Sequence, residues 1–161
     1  MTATAEKKSS ARAIADVTNG MLLATVEIAA TPERIFRALT TDEVTKWWGS
    51  PDAYGTKKWT ADLRVGGKWH SEGLMADGKP FTINGEYLEL DPPRKLTFTW
   101  RPSWDGDNQT RVSYRLEPTA TGTRVTLRHE GFADRAQVCE GHTQGWERVL
   151  GFLESYFNTN R

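Results

Sequence analysis

Gly141-His142-Thr143-Gln144-Gly145-Trp146-Glu147-Arg148-Val149-Leu150 decides the fold, because it follows a β-type run that closes on Leu127-Arg128-His129-Glu130-Gly131-Phe132. Read by period, it opens an amphipathic helix that buries His142, Trp146, Val149, Leu150, Leu153, Tyr156 and Phe157. These fall at i, i+4, i+7, i+8, i+11, i+14 and i+15, one stripe of a 3.6-residue helix. The pattern predicts a helix from about Cys139 to Asn158, roughly 30 Å long at 1.5 Å per residue. Its opening residues are odd: small Gly145 stands beside bulky Trp146 and His142 where leucine would pack more simply. A helix that must cover a sheet and also leave room for something has this composition.

Working back from the helix, the chain from about Lys57 to Gly131 reads as strands with turn punctuation. Arg111 to Glu117 alternates Val112, Tyr114 and Leu116 inward against Arg111, Ser113, Arg115 and Glu117. Arg124 to Glu130 repeats this with Val125, Leu127 and His129 inward. The outward arginines and glutamates suit cross-strand pairs on a wet face. Lys95 to Trp100 alternates Leu96, Phe98 and Trp100 against Thr97 and Thr99. Asp77-Gly78 joins Lys68–Met75 to Phe81–Leu90 as a hairpin, and Gly66-Gly67 turns Lys57–Asp62 into Lys68. Nearer the start, Val17–Ala29 predicts a strand with Leu22, Ala24, Val26 and Ile28 on one face. Thr31-Pro32-Glu33 then has an N-cap, a first-turn proline and a first-turn acid. That helix runs to about Thr40 and buries Ile35, Phe36 and Leu39. A second short helix carries Val44, Trp47 and Trp48, and Gly49 and Pro51 stop it. Strands this close connect as hairpins, so the sheet is antiparallel and lays one face on the helix. The class is α+β.

Composition bounds the partners. The 161 residues suit one domain with a real core. Lys plus Arg and Asp plus Glu balance at 21 each, so no overall field points to nucleic acid or an acidic membrane. No apolar run approaches the ~20 residues that span a bilayer. The single cysteine, Cys139, excludes an internal disulfide framework and suits a reducing compartment. The first residues lack the apolar stretch of a signal peptide. The expectation is a disordered tail over 1–15, one domain over 16–159, and a cytoplasmic, bacterial protein, monomer or homodimer.

Thr31-Pro32-Glu33-Arg34-Ile35-Phe36-Arg37-Ala38-Leu39-Thr40 followed by Trp47-Trp48-Gly49 resembles the opening of the proteins related to the C-terminal domain of the activator of Hsp90 ATPase. Asp62-Leu63-Arg64-Val65-Gly66-Gly67-Lys68-Trp69, Gly85 through Leu96, and Phe98-Thr99-Trp100 extend the match. Thr123 through Phe132 and Gly141 through Leu150 complete it, in order, from about Val17 to Phe157. The resemblance places the chain in the START-like superfamily. It implies the helix-grip fold: a curved antiparallel sheet of six or seven strands around a long C-terminal helix, with two short helices after the first strand and a cavity between sheet and helix. It also implies three possible functions, since members bind lipids, hormones or polyketides, catalyse cyclisation or hydrolysis, or assist Hsp90. The eukaryotic co-chaperone adds an N-terminal domain that grips Hsp90, and no such domain is expected in these 161 residues.

The candidate residues follow from that cavity. Trp47, Trp69, Trp100, Tyr114 and Trp146, with Phe36 and Leu150, form an aromatic and apolar set of the kind that walls small-molecule sites; the same residues also suit a solid core. His129 on the last strand and His142 on the helix's first turn converge at one cavity end. There they either hydrogen-bond a ligand or move a proton, or they simply bond backbone carbonyls. Trp104, on a Pro/Asp/Gly loop, suits the cavity mouth. Cys139 and His142 are two ligands where zinc needs three or four, so no metal is expected. Ser71, Ser113 and Cys139 lack a nucleophile's signature, Glu86 and Glu130 fall on the polar face, and Gly66-Gly67-Lys68 is a turn rather than a phosphate loop. No acid reads as buried. The expectation is therefore a binding protein for a small apolar or aromatic molecule, without cofactor and more readily a binder than an enzyme. The alternatives are a chaperone-type interaction module and a cyclase- or hydrolase-type enzyme using the same cavity.

Overall fold

The computed structural model describes residues 9–50 and 54–159. Eight strands form one antiparallel sheet: β1 (Arg12–Asp16), β2 (Met21–Ile28), β3 (Gly55–Ala61), β4 (Lys68–Leu74), β5 (Pro80–Asp91), β6 (Lys95–Pro102), β7 (Thr110–Pro118) and β8 (Thr123–Glu130). Their spatial order is β1-β2-β8-β7-β6-β5-β4-β3. After β2 the chain crosses to the far edge through α1 (Pro32–Thr40) and α2 (Val44–Trp47), then meanders back from β3 to β8. The long helix α3 (Ala136–Thr159) lies mainly on β2 and β1 and touches α2. This is the helix-grip arrangement.

The alternations resolve as expected. Leu22, Ala24, Val26 and Ile28 of β2, Val112, Tyr114 and Leu116 of β7, and Val125, Leu127 and His129 of β8 are all buried. On the opposite face Arg111 bonds Glu130 across β7 and β8, an exposed pair worth only a few tenths of a kcal/mol to about 1 kcal/mol. Thr31 Oγ1 accepts from Arg34 N at 3.2 Å and caps α1, and Asp77-Gly78 makes the β4–β5 turn, with Gly78 at φ 85°. Pro51 lies outside the described residues.

The sheet has eight strands rather than six or seven, because a short strand lies where a tail was expected. Arg12–Asp16 pairs with β2, Ile14 facing Leu23 across the ladder, so the expected boundary at residue 16 falls at the end of a strand. The segment before it is tied to α3. Glu154, 9% exposed, accepts hydrogen bonds from Ser9 Oγ and Ser10 Oγ at 2.7 Å each and from Ser10 N at 3.1 and 3.2 Å. This also corrects the expectation that no acid is buried: a carboxylate sits inside when several donors replace its water. The buried stripe of α3 shifts accordingly. Cys139, Thr143 and Glu154 join Trp146, Val149, Leu150, Leu153 and Phe157, while His142 and Tyr156 are half-buried. Tyr156 Oη donates to Glu43 Oε2 at 2.6 Å, and Arg34 pairs with the same carboxylate, so one cluster joins α1, α2 and α3.

Candidate functional site

The sheet curves away from the first half of α3 and leaves a cavity of about 440 Å³ between them. Trp48, Tyr54, Met75, Phe81, Ile83, Trp100, Trp104, Asp105, Val138, Gly141, His142, Gly145, Trp146 and Val149 line it. Half of these are rings, with few polar groups among them, as expected of a site for a small organic molecule. The rings hold one another: Trp100 lies 5.1 Å from Trp146, 6.2 Å from Trp48 and 6.1 Å from Trp69, centroid to centroid. On α3, Gly141 and Gly145 supply bare backbone, and a Cβ at either would meet nothing within 4 Å. Trp104 sits in a single 3-10 turn (Ser103–Asp105), 48% exposed, at the side where the cavity meets solvent. Arg135 clamps that turn to the start of α3 through both oxygens of Asp105, at 2.9 and 2.8 Å.

The two histidines stand together, ring centroids 5.1 Å apart. Trp146 Nε1–H donates to His129 Nδ1 at 2.9 Å. An indole nitrogen only donates, so that imidazole nitrogen is bare and Nε2 carries the proton, which goes to Thr110 Oγ1 at 2.6 Å. His142 is the opposite tautomer. Trp100 Nε1–H donates to its Nε2 at 3.3 Å, and its Nδ1–H reaches Val138 O at 3.0 Å. Burial holds both imidazoles below their ordinary range, His129 far below, where the charges of His142 and Arg135 add to the effect. Each is a neutral bridge that satisfies a tryptophan N–H. The packing reading accounts for all four ring nitrogens.

Of the residues expected to line the cavity, Trp100, His142 and Trp146 do so. Trp47, Trp69 and Tyr114 instead border a second, inner space of about 20 Å³, which Trp100 also touches. Phe36, His129 and Leu150 line neither; Phe36 and Leu150 pack in the apolar core, and His129 is a fully buried polar residue. Trp47 is drawn away because its Nε1 donates to Ala38 O at 2.8 Å, which locks it to α1. Its neighbour Trp48, in extended conformation at the end of α2, takes the cavity position. Tyr54, Met75, Phe81, Ile83, Val138 and Val149 were not singled out as lining residues. Phe81 and Ile83 show inward parity on β5, but nothing in parity separates a cavity wall from core. Among the described residues no three His, Cys, Asp or Glu side chains group as metal ligands. Cys139 is buried and its Sγ donates to Met21 O at 3.4 Å. No described helix is long and apolar enough to cross a membrane.

Solved structures share this architecture. A protein from Rhodobacter sphaeroides superposes with a TM-score of 0.78 at 18% identity, over 92% of this chain and 99% of that one. One from Chromobacterium violaceum gives 0.70 at 26% identity, over 86% and 97%. The AHSA1 protein from Silicibacter pomeroyi gives 0.72 at 23% identity, over 88% and 99%. No curated protein matches the chain. The family model of the activator of Hsp90 ATPase homolog 1-like proteins matches residues 29–158, and a match of that extent, on a helix-grip fold with a cavity under its closing helix, makes this chain a member of that family.

Proposed function

We propose that the protein binds a small, uncharged aromatic or apolar molecule in the cavity between the sheet and the first half of α3. The observation that carries this reading is a space of about 440 Å³ walled by rings and floored by Gly141 and Gly145. Glycine inside a helix costs about 1 kcal/mol relative to alanine, and here no packing neighbour requires it. The lining supports an uncharged ligand, because its one carboxylate, Asp105, is already paired with Arg135 and its one imidazole, His142, is held neutral. A charged group would lose its water without gaining a counter-ion. The enzyme alternative gains no support from the geometry, since His142 has both nitrogens engaged and Asp105 both oxygens. The chaperone-module alternative rests on family membership alone; co-purification with Hsp90 and stimulation of its ATPase would raise it above the binding reading.

Tryptophan emission reports directly on the site, because Trp48, Trp100, Trp104 and Trp146 all border it. Titration with flavonoids, aromatic polyketides and fatty acids is expected to give saturable quenching and a rise in Tm for at least one aromatic class. Gly145→Phe, which fills the space, is expected to abolish both effects. Absence of quenching and of thermal shift across the whole panel would overturn the proposal.

A further inference from the structure

The inner space of about 20 Å³ holds the strongest unexplained feature of the molecule. It is large enough for one water-sized group. Trp48, Ile83 and Trp100 line both it and the outer cavity, so these three side chains are the partition between the two. Behind the partition, Tyr87 Oη, Trp69 Nε1 and Trp59 Nε1 are buried and have no hydrogen-bond partner among the described residues. All three residues border the inner space, and Tyr87 and Trp69 are 1% and 4% exposed. β5 places Gly85 and Tyr87 on one face. A Cβ at Gly85 would collide with Trp69 Nε1, so the indole's N–H edge lies over this bare backbone, next to the tyrosine.

A buried donor without an acceptor is destabilising, and native interiors seldom leave one, let alone three beside one void. Three other buried indoles of this aromatic cluster are satisfied: Trp47 on Ala38 O, Trp100 on His142, Trp146 on His129. The unsatisfied set is confined to the inner wall. Indole N–H only donates and a phenol can donate, so the common complement is an acceptor. No charged side chain lines the space, so that acceptor is neutral.

We propose that the inner space is the subsite for a neutral acceptor oxygen, such as a carbonyl, carried by the aromatic molecule whose rings occupy the outer cavity. This rests on the cavity-binding reading above. The oxygen passes the partition beside Trp48, which is half-buried and stands in ring contact with Trp47, Trp100 and Trp146.

The test compares 2-acetylnaphthalene with 2-isopropenylnaphthalene, which share a shape and differ by C=O against C=CH2. Calorimetry on the full chain is expected to show the ketone binding about three- to tenfold more tightly, the range of one net hydrogen bond. Tyr87→Phe, which removes only an unpartnered oxygen from the subsite wall, is expected to lower that ratio. In the unaltered protein, the indole N–H resonances of Trp59 and Trp69 are expected to shift with the ketone and not with the alkene, a readout that depends on no variant folding. Equal binding of the two probes overturns the subsite and leaves the outer cavity standing. Ketone preference that survives Tyr87→Phe with both indole signals unmoved also overturns it. Failure of both probes to bind also overturns the subsite as proposed, and the cavity reading then stands or falls with the quenching panel.

Discussion

The two halves of α3 solve opposite problems with one helical stripe. From Val149 to Phe157 the stripe is close-packed: Leu150 and Leu153 are fully buried, Glu154 is filled by the hydroxyls and amide of Ser9 and Ser10, and Phe157 lies under Arg34 with the guanidinium 5.1 Å from its ring. From Val138 to Trp146 the helix still buries Cys139, Thr143 and Trp146, but Val138, Gly141, His142, Gly145 and Trp146 also border the cavity. Gly141 and Gly145 touch nothing where a side chain would stand, and His142 is half-buried. The second half anchors the helix, so the first half can be under-packed without the helix coming loose. Stability and function are thus separated along one element, and substitutions in the two halves should differ in whether they change ligand binding as well as stability.

The largest effect belongs to the anchoring half. Leu153→Ala empties a fully enclosed site and is expected to lower stability by about 2–5 kcal/mol, read as the urea midpoint at constant m-value. A loss below about 1 kcal/mol would mean that the second half is no better packed than the first.

Next comes the joint between the halves. Trp146→Phe keeps a ring but removes the N–H that His129 Nδ1 accepts, leaving a buried acceptor unmet at about 1–3 kcal/mol. Nitrogen-15 shifts of His129 would report the change directly. If its tautomer mixture is unaltered, the bond assigned to Trp146 is not what fixes it.

The same histidines set a pH response. His129 and His142 are held below the ordinary 6.5 when folded, so the unfolded chain binds more protons in the window beneath that value. Their contribution is complete above about pH 7 and is lost as pH falls through 6.5 toward the folded values, by at most about 1.4 kcal/mol per pH unit for each group. His70 works against this. Its pKa is raised, first by Asn84 and then by Glu72, so its stabilisation is present at low pH and fades as pH rises; His70→Gln removes that compensation. The paired acids Glu43 and Glu130 are held below 4.5 and respond at lower pH. A urea midpoint in His70→Gln that stays flat from pH 7 to 5 would show that the buried pair is charged, or hydrated, in the folded state.

Sequence periodicity carried the sheet and the helix far better than the cavity. Alternation placed Val112, Tyr114, Val125 and Leu127 inward correctly because parity depends only on the strand. Thr31 announced α1 through a bond only three residues long. β1 was missed because Arg12–Asp16 is short, and what orders its approach is a carboxylate 144 residues away. The cavity depends on sheet curvature, which no local pattern encodes. Trp69 faces inward as expected, but it borders the inner chamber rather than the outer cavity. Trp47 and Trp48 could be told apart only once Ala38 O had claimed the first indole. The glycines of α3 were the one local sign of space, legible because helix propensity argues against them.

Those glycines give the smallest effect and the sharpest contrast. Gly145→Ala adds a methyl that meets no atom within 4 Å and raises helix propensity, so stability is expected to increase by up to about 1 kcal/mol. In the anchoring half, Gly151 already has Ser9 Oγ at 3.8 Å from a notional Cβ, an ordinary contact, so Gly151→Ala is expected to stabilise similarly but leave the cavity untouched. The pair therefore separates two causes for a glycine in a helix. If Gly145→Ala raises Tm while weakening the binding of an aromatic probe, and Gly151→Ala raises Tm alone, the bare surface at Gly145 is kept for an occupant at the expense of the helix. If both variants bind the probe as the unaltered chain does, the glycine is tolerated rather than used, and the first half of α3 is loosely packed for a reason other than ligand contact at that turn.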